Sequence, residues 1–237
     1  DGHHPRQAEA GGESGRVSRG LTGLAAVAAV ATIAADLAGS PLVIAAKPLA
    51  LLGLFAATLA AAPVPSPRYR GLIAAGFLCS LAGDVLLLWP ERLFTAGLLA
   101  FLVAHICYLT AFRTDGGERP PAVLAVPLVG VAVALLAVTW EGLGTMRVPV
   151  VGYVAVIVTM WWAALGRWRA TGSRSGLLAA AGATAFVASD GLLALNRFWA
   201  PLPAAPLLVL APYYVAQFLL AASVGTAAGA GAMMEAT

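Results

Sequence analysis

The sequence predicts an all-α, polytopic membrane protein: a bundle of eight transmembrane helices. Three observations carry that expectation. Apolar residues make up 60% of the chain and charged residues 11%, where a soluble domain would carry about 25% charged, and the mean hydropathy is +0.87. The apolar residues fall in runs of roughly 20, the length that crosses a bilayer as a helix. No run alternates polar and apolar residues as barrel strands do, so helices are left to satisfy the backbone in lipid.

In chain order, residues 1–19 are polar and Gly-rich and read as a disordered or tag-like N-terminal tail, His3 and His4 included. The transmembrane domain is predicted over 20–226, with apolar runs at about 20–38, 42–62, 71–89, 93–112, 121–140, 147–168, 176–195 and 204–225. Short breaks rich in Pro, Gly, Ser and charge separate them: "GSP", "PVPSPRYR", "PER", "RTDGGERPP", "EGLGTMR", "RWRATGSRS" and "NRFWAPLP". Residues 227–237 form a short C-terminal tail.

The net charge of +3 is spread over the connections rather than gathered in a block. With eight spans, one side of the membrane carries ten arginines (6, 16, 19, 68, 70, 113, 119, 167, 169 and 174) and the other three (92, 147 and 197). The side richer in arginine faces the cytoplasm, which puts both termini there, in what reads as a bacterial cytoplasmic membrane. This dispersal speaks against nucleic-acid binding. Cys79 and Cys107 both fall inside spans and read as small core residues. No Gly-rich phosphate loop or metal-ligand spacing occurs, so no cofactor and no metal is expected.

A short internal repeat is visible. "LAGDVLL" (81–87) aligns with "VASDGLL" (187–193) at an offset of 106, and the same offset relates Tyr108 to Tyr214. Each half thus has an Asp near the end of one span and a Tyr 24 residues later. Because the offset covers four spans, the halves would form a parallel 4+4 repeat.

Ionisable groups inside a membrane cost several kcal/mol unless they face a protein interior or water, and they mark function. Here they are Lys47, Asp84, His105 and Asp190, with Glu91, Arg92 and Arg197 at one membrane end and Tyr108, Tyr213, Tyr214 and Gln217 further in. Asp84 and Asp190 lie about two turns, roughly 9 Å, short of the non-cytoplasmic face, and Lys47 lies at similar depth. Asp84 and Glu91, seven apart, would share a face of span 3, as Asp190 and Arg197 would on span 7. The polar set therefore gathers in the outer half and centre of the bundle, with none expected in the inner third. Spans 5 and 6 contribute only Tyr153 and Thr159.

"GDVLLLWPERLFTAGLLAFLVAHICYLTAF", followed by "SDGLLALNRF" and "YYVAQFLL", resembles the YhhN family of eight-span membrane proteins, from "KPL" at 47–49 through Gln217. The residues carried over by that resemblance are Lys47, Asp84, Glu91, His105, Tyr108, Ser189, Asp190, Arg197, Tyr214 and Gln217. The resemblance implies a lysoplasmalogenase-like ether hydrolase of lipid metabolism. It would cleave the vinyl ether bond of a lysophospholipid or similar amphiphile, releasing a fatty aldehyde and a glycerophospho-alcohol.

Two buried carboxyls suit that chemistry. A vinyl ether is cleaved by protonation of its β-carbon, giving an oxocarbenium ion that water attacks. As in glycoside hydrolysis, one carboxylic acid donates and one carboxylate stabilises the cation or activates water. Exclusion of water and a second nearby acid both favour a carboxyl that keeps its proton. Asp84 and Asp190 are the expected pair, with the donor undecided. Lys47, Arg92 or Arg197 would receive the phosphate, and a slot between spans the chain. A small-solute or proton-coupled transporter is the alternative, since intramembrane Asp, Lys and His and parallel repeats also occur there.

Overall fold

A computed structural model describes residues 4–62, 64, 66–114 and 120–225. Among them no strand occurs, and the helices are α1 (His4–Leu37), α2 (Val43–Ala60), α3 (Pro67–Leu86), α4 (Pro90–Phe112), α5 (Ala125–Leu143), α6 (Arg147–Thr171), α7 (Arg174–Phe198) and α8 (Ala205–Gly225). The sequence punctuation explains the boundaries. Ser66 accepts a hydrogen bond from the Tyr69 amide and Pro67 occupies the first turn of α3, where a missing N–H costs nothing. Ser173 caps α7 through the Gly176 amide, and Gly172, at φ +57°, ends α6 in the left-handed conformation that glycine adopts freely.

Seven stretches are long and apolar enough to cross a membrane. One is a continuous stretch, Ala122–Thr171, that contains both α5 and α6. A single straight helix of that length would run about 75 Å, far beyond a bilayer. Gly144, at φ +50°, breaks it, a 3-10 turn follows at Gly144–Met146, and α5 packs against α6. The protein is an integral membrane helix bundle.

The hairpins α1–α2, α3–α4 and α7–α8 are the closest-packed helix pairs, and α8 also touches α1, α2 and α3, so it runs through the centre. Phe77, Tyr108, Phe186, Met160 and Leu220 fill the core, while Leu24, Val27 and Val30 of α1 and Val126, Val133 and Val138 of α5 face outward. α5 packs on α6 and α7 and buries only Leu128, Thr139 and Leu143.

Two expectations need correction. α1 starts at His4, so from residue 4 to 19 a helix stands where composition predicts a tail; the apolar run that follows offers a preformed helix for the Ala- and Glu-containing segment to extend. Residues 1–3 and 226–237 lie outside the described residues. The inner third of the bundle is also not free of polar groups. Arg167 is drawn in from the end of α6, where its guanidinium lies over the Tyr69 ring at 4.5 Å and donates to Ser175 Oγ at 3.1 Å. Ser175 donates to the Ser223 carbonyl, and the Tyr69 and Ser223 hydroxyls are 2.7 Å apart. Arg167 reads as a loop charge in sequence because its long stem can carry its head either way along the bundle.

Candidate active site

At the other end of the bundle, α1 and α3 finish while α2 begins, and α7 finishes while α8 begins. That alternation collects residues distant in sequence around one chamber of about 270 Å³, walled by Asp36, Lys47, Asp84, Asp190, Arg197 and Tyr213 among others. Two prolines stand next to the polar side chains: Pro48 follows Lys47 inside α2 and Pro212 precedes Tyr213 inside α8. Each removes one helical hydrogen bond beside the chamber.

Asp84 is 2% exposed and forms an ion pair with Lys47, Oδ1 to Nζ at 3.1 Å, with Lys47 11% exposed. Its other oxygen accepts from the Tyr213 hydroxyl at 2.5 Å. A buried carboxylate with a cation on one oxygen and a phenol on the other has its charge balanced and both oxygens bonded, which burial of a charge requires. Asp190 sits differently. Its Oδ2 accepts from the Tyr153 hydroxyl at 2.5 Å, and among the described residues the nearest basic atom is His105 Nε2 at 3.9 Å. The imidazole is boxed by aromatic rings, Phe186 at 5.1 Å and Tyr153 at 5.4 Å between centroids.

Asp190 is also where the polar chamber meets an apolar one. The second chamber, about 90 Å³, lies between α4, α5, α6 and α7 and is lined by side chains such as Phe101, Leu135, Ile157 and Trp161. Leu87, Phe94, Phe101, Leu193 and Asp190 belong to both walls. A carboxyl at such a seam can meet the atom that joins a polar group to a hydrocarbon chain.

The remaining sequence-derived candidates divide. Ser189 lines the polar chamber and gives its hydroxyl to the Val209 carbonyl at 2.9 Å. Tyr108 and Gln217 form a buried pair behind Tyr213, with Tyr108 donating to Gln217 Oε1 at 3.1 Å and its hydroxyl 3.3 Å from Ser80. Tyr214 packs on Tyr213 at 5.2 Å and does not line the chamber. Arg197 pairs with Glu91 at 3.2 Å, with Glu91 80% exposed. Glu91 belongs to α4, not α3: α3 ends at Leu86 and Pro90 opens the next helix, so the expected shared face of Asp84 and Glu91 does not exist. Arg92 is exposed at the start of α4 and is not part of either wall.

Three residues of the site were not singled out from sequence: Tyr153 as the partner of Asp190, and Asp36 and Asn196 on the polar wall. Tyr153 had a usable signal. It lies about 9 Å from the start of α6 at 1.5 Å per residue, close to the depth of Asp190 from the end of α7.

A model of the YhhN family matches residues 42–224. The chain belongs to the YhhN family. Every member of the two carboxylate clusters falls within the matched segment, which leaves out α1 and with it Asp36. Among curated relatives, the chain is 33% identical to the rat protein named lysoplasmalogenase TMEM86B, over 76% of this chain and 71% of that one. It is 35% identical to the pig protein of the same name, over 66% and 64%, and 37% identical to human lysoplasmalogenase TMEM86A, over 64% of each. The chain thus spans just under two thirds of the length of pig TMEM86B and of human TMEM86A. No solved structure matches it.

Proposed function

We propose that this YhhN-family protein hydrolyses the vinyl ether bond of a lysoplasmalogen-like lysophospholipid within the membrane. The observation that carries the reading is the position of Asp190 at the seam between a chamber bearing Lys47 and Arg197 and one lined almost wholly by hydrocarbon. A lysophospholipid has the same division, and its vinyl ether lies where headgroup and chain join. The names of the relatives point to the same bond.

Asp190 is the acid. Without a cation in contact, a carboxyl facing hydrocarbon is cheapest in its neutral form, whereas Lys47 holds Asp84 as a carboxylate. Asp190 delivers its proton to the β-carbon, and the π electrons of the double bond form the new C–H bond. The resulting oxocarbenium ion is stabilised by the two carboxylates. Water adds to the α-carbon and gives its proton to Asp84. In the hemiacetal, Asp190 takes back a proton from the hydroxyl as the carbonyl forms, and Asp84 protonates the departing glycerol oxygen. Fatty aldehyde and glycerophospho-alcohol leave, and both acids regain their starting states. Tyr153 and Tyr213 orient the carboxyls, and Arg197 receives the phosphate.

The bundle crosses the bilayer eight times, α5 and α6 each counting once, and the chamber opens on the face away from the cytoplasm. The arginine distribution supports this orientation even with Arg167 drawn inside. Purified protein should release aldehyde from a choline lysoplasmalogen and none from its saturated alkyl-ether analogue, which cannot be protonated at carbon. Equal inertness toward both, from folded protein, would overturn the reading.

A further inference from the structure

The apolar chamber runs along α6 from Val150 to Trp161. Leu128 on α5, Trp161 on α6 and Val187 on α7 are the wall residues farthest along their helices from the end that carries the polar chamber. Tyr153, Ile157 and Trp161 are four apart and so form one stripe down the face of α6. From the Tyr153 that holds Asp190 to Trp161 is eight residues, about 12 Å of helix. Trp161 is fixed in place: its indole N–H donates to Thr184 Oγ1 at 2.7 Å, and Thr184 itself donates to the Ala180 carbonyl at 2.9 Å. The indole of α6 is thereby tied to α7. A large ring tied to the neighbouring helix at the far end of a hydrocarbon wall is suited to limit how much chain fits beside it.

We propose that Trp161, pinned by Thr184, is the chain-length determinant of the site: it ends the slot for the substrate's hydrocarbon chain about 12 Å of α6 rise beyond Tyr153, the residue that bonds Asp190. The proposal rests on the reading of the chamber as a lysophospholipid site. Chains that stop above the indole are seated fully. Longer ones must bend aside toward the bilayer, between α4 and α5, which share no substantial packing.

The test uses the full-length protein in detergent with a series of lysoplasmalogens differing only in chain length, read as kcat/KM for aldehyde release. The second readout is the thermal stabilisation given by the matching saturated alkyl-ether lysolipids, which bind without turning over. Trp161→Ala should move the optimum to longer chains, with each methylene newly admitted worth about fourfold. Thr184→Val, which keeps the ring and removes its acceptor, should give a smaller shift in the same direction. Should Trp161→Ala fail to fold, Trp161→Phe serves, being shorter and lacking the N–H. An unchanged length profile in a folded Trp161 variant would overturn the proposal. If the wild type releases no aldehyde, yet the stabilisation profile still lengthens in the variants, the hydrolytic reading falls and the chain-length determinant stands. No stabilisation at any length, together with no turnover, would remove both.

Discussion

Asp84 and Asp190 occupy matching places in the "LAGDVLL" and "VASDGLL" segments and border the same chamber, yet their neighbourhoods differ in two respects. Asp84 is bound by Lys47 and Tyr213 and is shut in. Asp190 has Tyr153, a more distant histidine and 19% of its side chain exposed at the hydrocarbon seam. On the proposed mechanism, a lysine on one side and its absence on the other separate two chemically identical groups into a base and an acid, as environment does for carboxylate pairs generally. The repeat alone does not reveal this. The tyrosines it relates, Tyr108 and Tyr214, are not the ones that bond the acids; Tyr213 and Tyr153 are.

The difference can be broken from either side. Asp190→Asn should have the largest effect, a loss of up to about 10⁴-fold in kcat, because an amide cannot donate the proton. Asp84→Asn should cost about 10²- to 10³-fold, the usual scale for a lost charge-stabilising group, measured on the same vinyl ether. It should also destabilise the protein. Lys47 left without its carboxylate is a buried unpaired charge, worth about 3–5 kcal/mol, and Lys47→Met should suffer similarly. The double variant Lys47→Met/Asp84→Asn should recover most of the thermal stability of either single change while remaining slow. If the double variant is no more stable than the singles, the ion pair does not hold this end of the bundle.

Smaller changes sharpen the contrast between the tyrosines. Tyr153→Phe and Tyr213→Phe each remove one hydrogen bond to a carboxyl, worth about 1–3 kcal/mol, so each should lower kcat about tenfold. Only Tyr153→Phe should shift the alkaline limb of the pH–rate profile, where the donor loses its proton, since it alone touches the donor. Arg197→Gln should be mildest, raising KM a few-fold with little change in kcat, because Arg197 is already engaged by Glu91 at an exposed pair.

The helices were legible because lipid imposes a loud code: apolar runs, Pro and Gly at the breaks, and sparse charge place α2 through α8 within a few residues. The acids, Lys47 and the chamber end could be read for the same reason, since each is an expensive exception in an apolar run. What could not be read is pairing across helices. Tyr153 is one aromatic among many on an apolar helix, and only the packing of α6 on α7 makes it the partner of Asp190. The shared face expected of Asp84 and Glu91 fails because a period of seven holds only within one helix, and the "PER" break restarts the helix at Pro90 between them. Arg167 was counted with the loops because the length of its stem hides whether the guanidinium goes out or in.

The most direct test is the infrared spectrum of the folded, unliganded protein at neutral pH, compared with Asp190→Asn and Asp84→Asn. The wild type should show the C=O stretch of a protonated carboxylic acid in an apolar environment, absent from Asp190→Asn and retained in Asp84→Asn. A band that persists in Asp190→Asn and vanishes with Asp84 would contradict the assignment of acid and base.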